Sequence, residues 1–196
     1  MKAFSQLPDY YREVYAVDFQ KDKKLSLRIN VFAFLIGVLL AVPMHFVVPF
    51  STLFNMSAGL GPYFIRFGVL FVSIIVYMVL HELVHGAAMK LCGTKRVKYG
   101  YTGLYAFAGS EDYYDKAAYI FIALAPVVLW GIVLLLVQFF VPIAWFWVVY
   151  IVQITNLSGA AGDYYVTARF SRLPKDILVR DSGVSMCVYS RLEEEQ

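Results

Sequence analysis

Charge is missing from most of this chain. No Asp, Glu, Lys or Arg occurs over 29–65, 67–81 or 117–162. A bilayer hydrocarbon core of about 30 Å takes roughly 20 mainly apolar residues as a helix. The first and last runs, 37 and 46 residues long, exceed one span and suit a span plus a turn, or two spans. A soluble fold has to cover its surface with charge, and typical soluble domains carry about 25% charged residues. Here 16% of the 196 residues are charged and 60% are hydrophobic, which excludes that class. Disorder is excluded too, because it needs low hydrophobicity and high charge. The expected fold is an all-α membrane protein of four transmembrane helices with small cytoplasmic β-hairpins.

The predicted spans are 30–50, 63–92, 119–140 and 143–170. Pro49, Asn55 and Gly59-Leu60-Gly61-Pro62 break the first run before the second. Val141-Pro142 marks a tight turn between the last two. Arg66 stands at the start of the second span, where it is expected to snorkel to the interface.

Orientation follows the bias of Lys and Arg toward cytoplasmic loops. Lys2, Arg12, Lys21, Lys23, Lys24 and Arg28 precede the first span, Lys95, Arg96, Lys98 and Lys116 follow the second, and Arg172, Lys175, Arg180 and Arg191 follow the fourth. The two other loops have none. A multi-pass protein of the cell membrane with both termini cytoplasmic is expected. The net charge of +3 is accounted for by this rule, so the lipid bilayer is a partner and nucleic acid is not.

The chain divides into an N-terminal interfacial segment (1–28), a four-helix transmembrane domain (29–172) and a cytoplasmic tail (173–196). The first apolar run follows a charged leader and is too long for the core of a signal peptide. Tyr10, Tyr11, Val14, Tyr15 and Phe19 suit either an interfacial helix or a loosely ordered leader. Alternation over 97–107 around Thr102-Gly103, and two apolar runs around Asp181-Ser182-Gly183, predict two hairpins. Cys92 and Cys187 fall at or beyond cytoplasmic ends of spans, a reducing setting where no disulfide is expected.

Two of the three histidines stand in His81-Glu82-Leu83-Val84-His85, the H-E-x-x-H pattern. Helical spacing of four puts both imidazoles on one face, able to grip a single ion. Zinc lowers the pKa of a bound water to about 7. Glu82, one position on, is placed to take that proton and deliver it to a leaving amine. An acidic residue inside an apolar helix costs about 2.5–3.5 kcal/mol on insertion scales, which marks Glu82 as functional.

A catalytic zinc needs a third protein ligand and an open position. Cys92 lies seven residues beyond His85, about 10 Å along the axis, too far to share the ion. His45 in the first span sits at the wrong depth, about 23 Å from the cytoplasmic end. Asp163 is the one acidic residue of the fourth apolar segment and lies about 10 Å from its cytoplasmic end, as His85 does. It is the candidate third ligand; the plain alternative is an interfacial residue held by Arg169 or Arg172. Small residues over 156–162 permit close helix approach or local unwinding. Asn156 within that run is a candidate substrate or oxyanion donor, or else an interhelical hydrogen-bonding residue.

His81-Glu82-Leu83-Val84-His85-Gly86 in a span, the first hairpin, Ile122-Ala123-Leu124-Ala125-Pro126, Asn156…Gly162-Asp163 and the tail Leu173-Pro174-Lys175-Asp176…Asp181-Ser182-Gly183 resemble the DUF3267 family of zincin-type peptidases. More distantly, the layout is similar to the site-2 protease group of intramembrane metalloproteases. The resemblance implies zinc, with His81, His85 and Asp163 as ligands and Glu82 as general base. It also implies a hairpin edge that holds extended substrate by strand addition. Asp163 is followed by Tyr164 where that group has Gly. The expected function is a membrane-embedded zinc metallopeptidase cleaving a membrane protein or peptide substrate near the cytoplasmic face. The competing readings are a non-catalytic metal-stabilised membrane scaffold or binding protein of the same fold, and a small transporter.

Overall fold

The charge-free runs become helices. A computed structural model of the chain describes residues 1–103 and 105–191. Among these, four helical segments are long and apolar enough to cross a membrane. The first three are α1 (Lys23–Val47), α2 (Leu60–Leu91) and α3 (Lys116–Phe140). The fourth, Ile143–Ser171, contains α4 (Phe146–Gly159) and α5 (Ala161–Ser171), separated at Ala160. That break falls in the small-residue run, as the expected unwinding requires.

Caps set the ends. The Leu25 N–H donates to Asp22 Oδ1 at 2.9 Å before α1, and the Ala118 N–H donates to Asp115 Oδ1 at 2.7 Å before α3. Each supplies an acceptor that an uncapped first turn lacks. These caps start both helices earlier than the apolar runs alone suggest. α2 stops at Gly93, whose φ of 109° suits a residue without Cβ.

Strands are more extensive than two hairpins. They are β1 (Ala3–Phe4), β2 (Tyr11–Asp18), β3 (Lys98–Tyr101), β4 (Ala106–Gly109), β5 (Tyr113–Asp115), β6 (Leu178–Asp181) and β7 (Ser185–Arg191). Both predicted hairpins form, β3 with β4 and β6 with β7. The second belongs to a five-stranded antiparallel sheet in the order β1-β5-β6-β7-β2. This corrects the reading of the N-terminal segment as an interfacial helix or loose leader. A bulge between Glu13 and Tyr15 divides β2, so Tyr11 packs with Leu178 and Tyr189 while Tyr15 and Val17 turn to the core around Val188.

The chain clusters into two units, and the divisions fall inside α1, α2, α3 and the first turn of α5. The first unit comprises 1–28, 82–126 and 163–196. Its core gathers Val17 of β2, Met89 of α2, Tyr114 of β5, Ile122 of α3, Phe170 of α5 and Val179 and Val188 of the tail hairpin.

The second unit comprises 29–81 and 127–162. It packs Val48, Leu53, Trp147 and Val148 together, and the Trp147 indole donates to the carbonyls of Val48 and Pro49 at 3.1 and 3.2 Å. Arg66 does not snorkel. It is buried, and its guanidinium donates to the carbonyls of Thr52, Asn55 and Ala144. An arginine can bridge several loop carbonyls because its five donors point in a fixed fork. His45 is employed locally, with its Nδ1 accepting the Phe50 N–H at 3.0 Å. Cys92 and Cys187 are both free thiols.

Candidate metal centre

α2 carries Tyr77, His81 and His85 at successive i, i+4 positions, so one helix face presents all three. In the first unit, His85 is fixed by α3: its Nδ1 lies 2.9 Å from the carbonyl oxygen of Ile122. A carbonyl only accepts, so Nδ1 carries the proton and Nε2 carries the lone pair. That carbonyl is available for a reason written in the sequence. In an α-helix the amide of residue 126 would bond the carbonyl of residue 122, but Pro126 has no N–H to give. His85 Nε2 faces Asp163 Oδ1 at 3.7 Å. Asp163 lies in the first turn of α5, a turn that exists because the fourth segment breaks at Ala160, and a helix N-terminus favours a carboxylate.

His81 precedes Glu82 at the division between the units, but α2 is unbroken there. Its position relative to His85 is therefore set by the helix itself. His81 thus stands one helical turn before His85 on the face that His85 turns toward Asp163.

Within the second unit, His81 has its own orienting partners. Its Nδ1 lies 2.8 Å from the Tyr77 hydroxyl. The same hydroxyl donates to Asn156 Oδ1 at 2.8 Å, and Asn156 Nδ2 donates to the Val127 carbonyl at 3.1 Å. Asn156 is completely buried, at 0% exposure, with both ends of its amide engaged.

Glu82 is partly buried, and its carboxylate interacts with the backbone N–H of Ala108 in β4. The tail hairpin backs that strand. A Cβ on Gly109 would strike the backbone of Ser182 and Gly183, and one on Gly183 would strike the Phe107 ring. Gly183 also takes φ 84°, so the position suits glycine twice over. Asp181 locks the turn. Its Oδ1 accepts the Gly183 N–H at 2.8 Å, its Oδ2 accepts the Tyr119 hydroxyl at 3.0 Å, and its carbonyl accepts the Ser110 N–H at 2.7 Å. Desolvation raises the Asp181 carboxyl above its ordinary value, opposed by the Gly183 and Tyr119 hydrogen bonds and by His85.

Sequence reasoning missed Tyr77, Pro126 and Asp181. Tyr77 was reachable by extending the i, i+4 ladder back one turn. Pro126 was reachable by asking which carbonyl a helical proline leaves unbonded. Asp181 read only as a turn residue, and nothing local distinguishes it.

Two imidazoles and a carboxylate, from two helices, form a donor set of the kind that holds zinc with a position left open, and the residues fit that ion. The molecule is thus a protein with four membrane-length helices and an H-E-x-x-H turn whose second histidine faces an aspartate. It belongs to the DUF3267 family, whose model, described as "Putative zincin peptidase", matches residues 74–178. The match runs from α2 to the start of β6 and takes in every candidate site residue. No curated protein and no solved structure matches the chain.

Proposed function

We propose that this chain is a membrane-embedded zinc metallopeptidase that hydrolyses peptide bonds of membrane protein substrates near the cytoplasmic face. The observation that carries the reading is the approach of His85 Nε2 to Asp163 Oδ1, 3.7 Å across two helices, with Glu82 three positions before His85 on the same helix. His81, His85 and Asp163 hold the ion. Bound zinc supplies Lewis acidity toward a carbonyl oxygen and acidifies a coordinated water.

Glu82 moves the proton. Its carboxylate stands beside the ligands, where it accepts a proton from the attacking water and returns it to the leaving amine. Four apolar segments of sufficient length and the distribution of Lys and Arg support insertion in the cell membrane with both termini cytoplasmic. In that orientation His85 lies about 10 Å from the cytoplasmic end of α2, which sets the level of the scissile bond.

The test uses purified protein in liposomes with a single-span model substrate. Wild type is expected to cleave it in the presence of zinc, and Glu82→Gln is expected to retain zinc without cleaving. Turnover retained in Glu82→Gln would overturn the mechanism.

A further inference from the structure

We propose that the chain contains two separate devices that fix the tautomers of its candidate zinc ligands: the Tyr77–Asn156 pair for His81, and the proline-freed carbonyl of Ile122 for His85. The proposal rests on the zinc reading above and goes beyond it by assigning positioning roles to Tyr77, Asn156 and Pro126.

The first device can be followed proton by proton. The Val127 carbonyl only accepts, so the group of Asn156 that meets it is the NH2, at 3.1 Å. Asn156 Oδ1 is thereby turned toward Tyr77 and has no proton to offer. The Tyr77 hydroxyl has one proton, and it goes to Oδ1 at 2.8 Å. What the hydroxyl has left for His81 is a lone pair, so His81 Nδ1 at 2.8 Å is the donor. His81 Nε2 then carries the lone pair rather than a proton, the form in which an imidazole binds a metal. Each step is forced by the one before it, and the chain of bonds is anchored on a backbone carbonyl.

The second device reaches the same end with backbone alone. Pro126 removes the helical donor from the Ile122 carbonyl, and His85 Nδ1 takes its place at 2.9 Å. His85 Nε2 carries the lone pair as well, and it is the atom that faces Asp163. Groups that orient a ligating histidine typically contribute 10–100-fold to metal affinity.

Histidine-specific ¹⁵N NMR of the full-length protein in detergent micelles, with and without zinc, reads the tautomers directly. Wild type is expected to show Nδ1–H at both His81 and His85 already in the metal-free protein. Tyr77→Phe is expected to abolish the single tautomer at His81 while leaving His85 unchanged, and to weaken zinc binding by about 10–100-fold in competition with a chromophoric chelator. Pro126→Ala is expected to perturb His85 and not His81, with a smaller drop, since a carbonyl can accept two hydrogen bonds.

An Nε2–H tautomer at either histidine in metal-free wild type overturns the proposal. So does undiminished zinc affinity with an unchanged His81 signal in a folded Tyr77→Phe variant. Should that variant not fold, the wild-type tautomers still decide. Absence of zinc binding in wild type would defeat the zinc reading, and zinc binding without cleavage would defeat the peptidase reading. In both cases the metal-free tautomers judge the positioning devices independently.

Discussion

Phe170 and Phe46 are the same side chain in opposite settings. Phe170, on α5 in the first unit, is 0% exposed, whereas Phe46, on α1 in the second, is 82% exposed. The contrast holds along both units. The first closes a core of its own around Tyr114, Phe170, Val179 and Val188, in the manner of a water-soluble α+β domain. The second leaves Phe34, Leu39 and Phe140 bare, and α1 has no buried residue at all. Burial on that scale stabilises a fold in water at about 25 cal/mol per Å² of apolar surface. An exterior of bare aromatic and aliphatic groups is favourable only in an apolar solvent, in keeping with the proposed bilayer. The difference also separates two kinds of polar residue. In the second unit Arg66 and Asn156 satisfy the chain's own backbone carbonyls and His81 is the one candidate ligand, while the first unit holds Glu82, His85 and Asp163.

Substitutions can break or sharpen that contrast. The largest effect is expected from Glu82→Gln, which should lower the rate of peptide cleavage by about 10²–10⁴-fold with zinc content unchanged. Next is Asp163→Ala. It should lower zinc affinity by more than the roughly 10–100-fold that loss of a merely orienting group costs, and equal zinc content in mutant and wild type would remove Asp163 from the ligand set.

Packing comes third. Phe170→Ala should destabilise the first unit by about 3–5 kcal/mol, visible as a lowered midpoint of thermal unfolding in micelles. Arg66→Met strands the three loop carbonyls it serves and should cost about 1–3 kcal/mol. The smallest effect is expected for Phe34→Ala, within about 0.5 kcal/mol, because its side chain touches solvent on its open face. If Phe34→Ala proved as costly as Phe170→Ala, the second unit would have a covering that the contrast denies.

The parts of this molecule that were legible from sequence are those governed by local rules. Charge-free runs locate helices, because chain length against bilayer thickness leaves few alternatives. Thr102-Gly103 and Asp181-Ser182-Gly183 locate hairpins, because tight turns need particular backbone angles. The i, i+4 spacing of His81 and His85 is likewise local. Asp163 could be selected by depth, since helical rise converts residue number into distance.

What stayed hidden depends on pairing between distant segments. Nothing in Tyr11–Asp18 announces that Ser185–Arg191 will lie alongside it, so an amphipathic strand passed for an interfacial helix. Arg66 carried no sign of the loop carbonyls around it. Asn156 could be singled out, but its neighbour Tyr77 comes from 79 positions away, and that contact turns a candidate substrate-facing amide into one already committed at both ends.

The pairing of β2 with β7 has a consequence for how the protein is made. β2 leaves the ribosome well ahead of β7, because more than 160 residues separate Asp18 from Ser185. At translation speeds of about 5–20 residues per second, β2 waits roughly ten seconds or more for β7. The same late segment brings the Ser182-Gly183 turn that backs β4, the strand whose Ala108 amide meets Glu82. The helices can form in order as they emerge, but the surroundings of Glu82 are complete only once the tail hairpin has followed them. Until that turn is made, β4 has no backing at Gly109, and Glu82 lacks its finished surroundings.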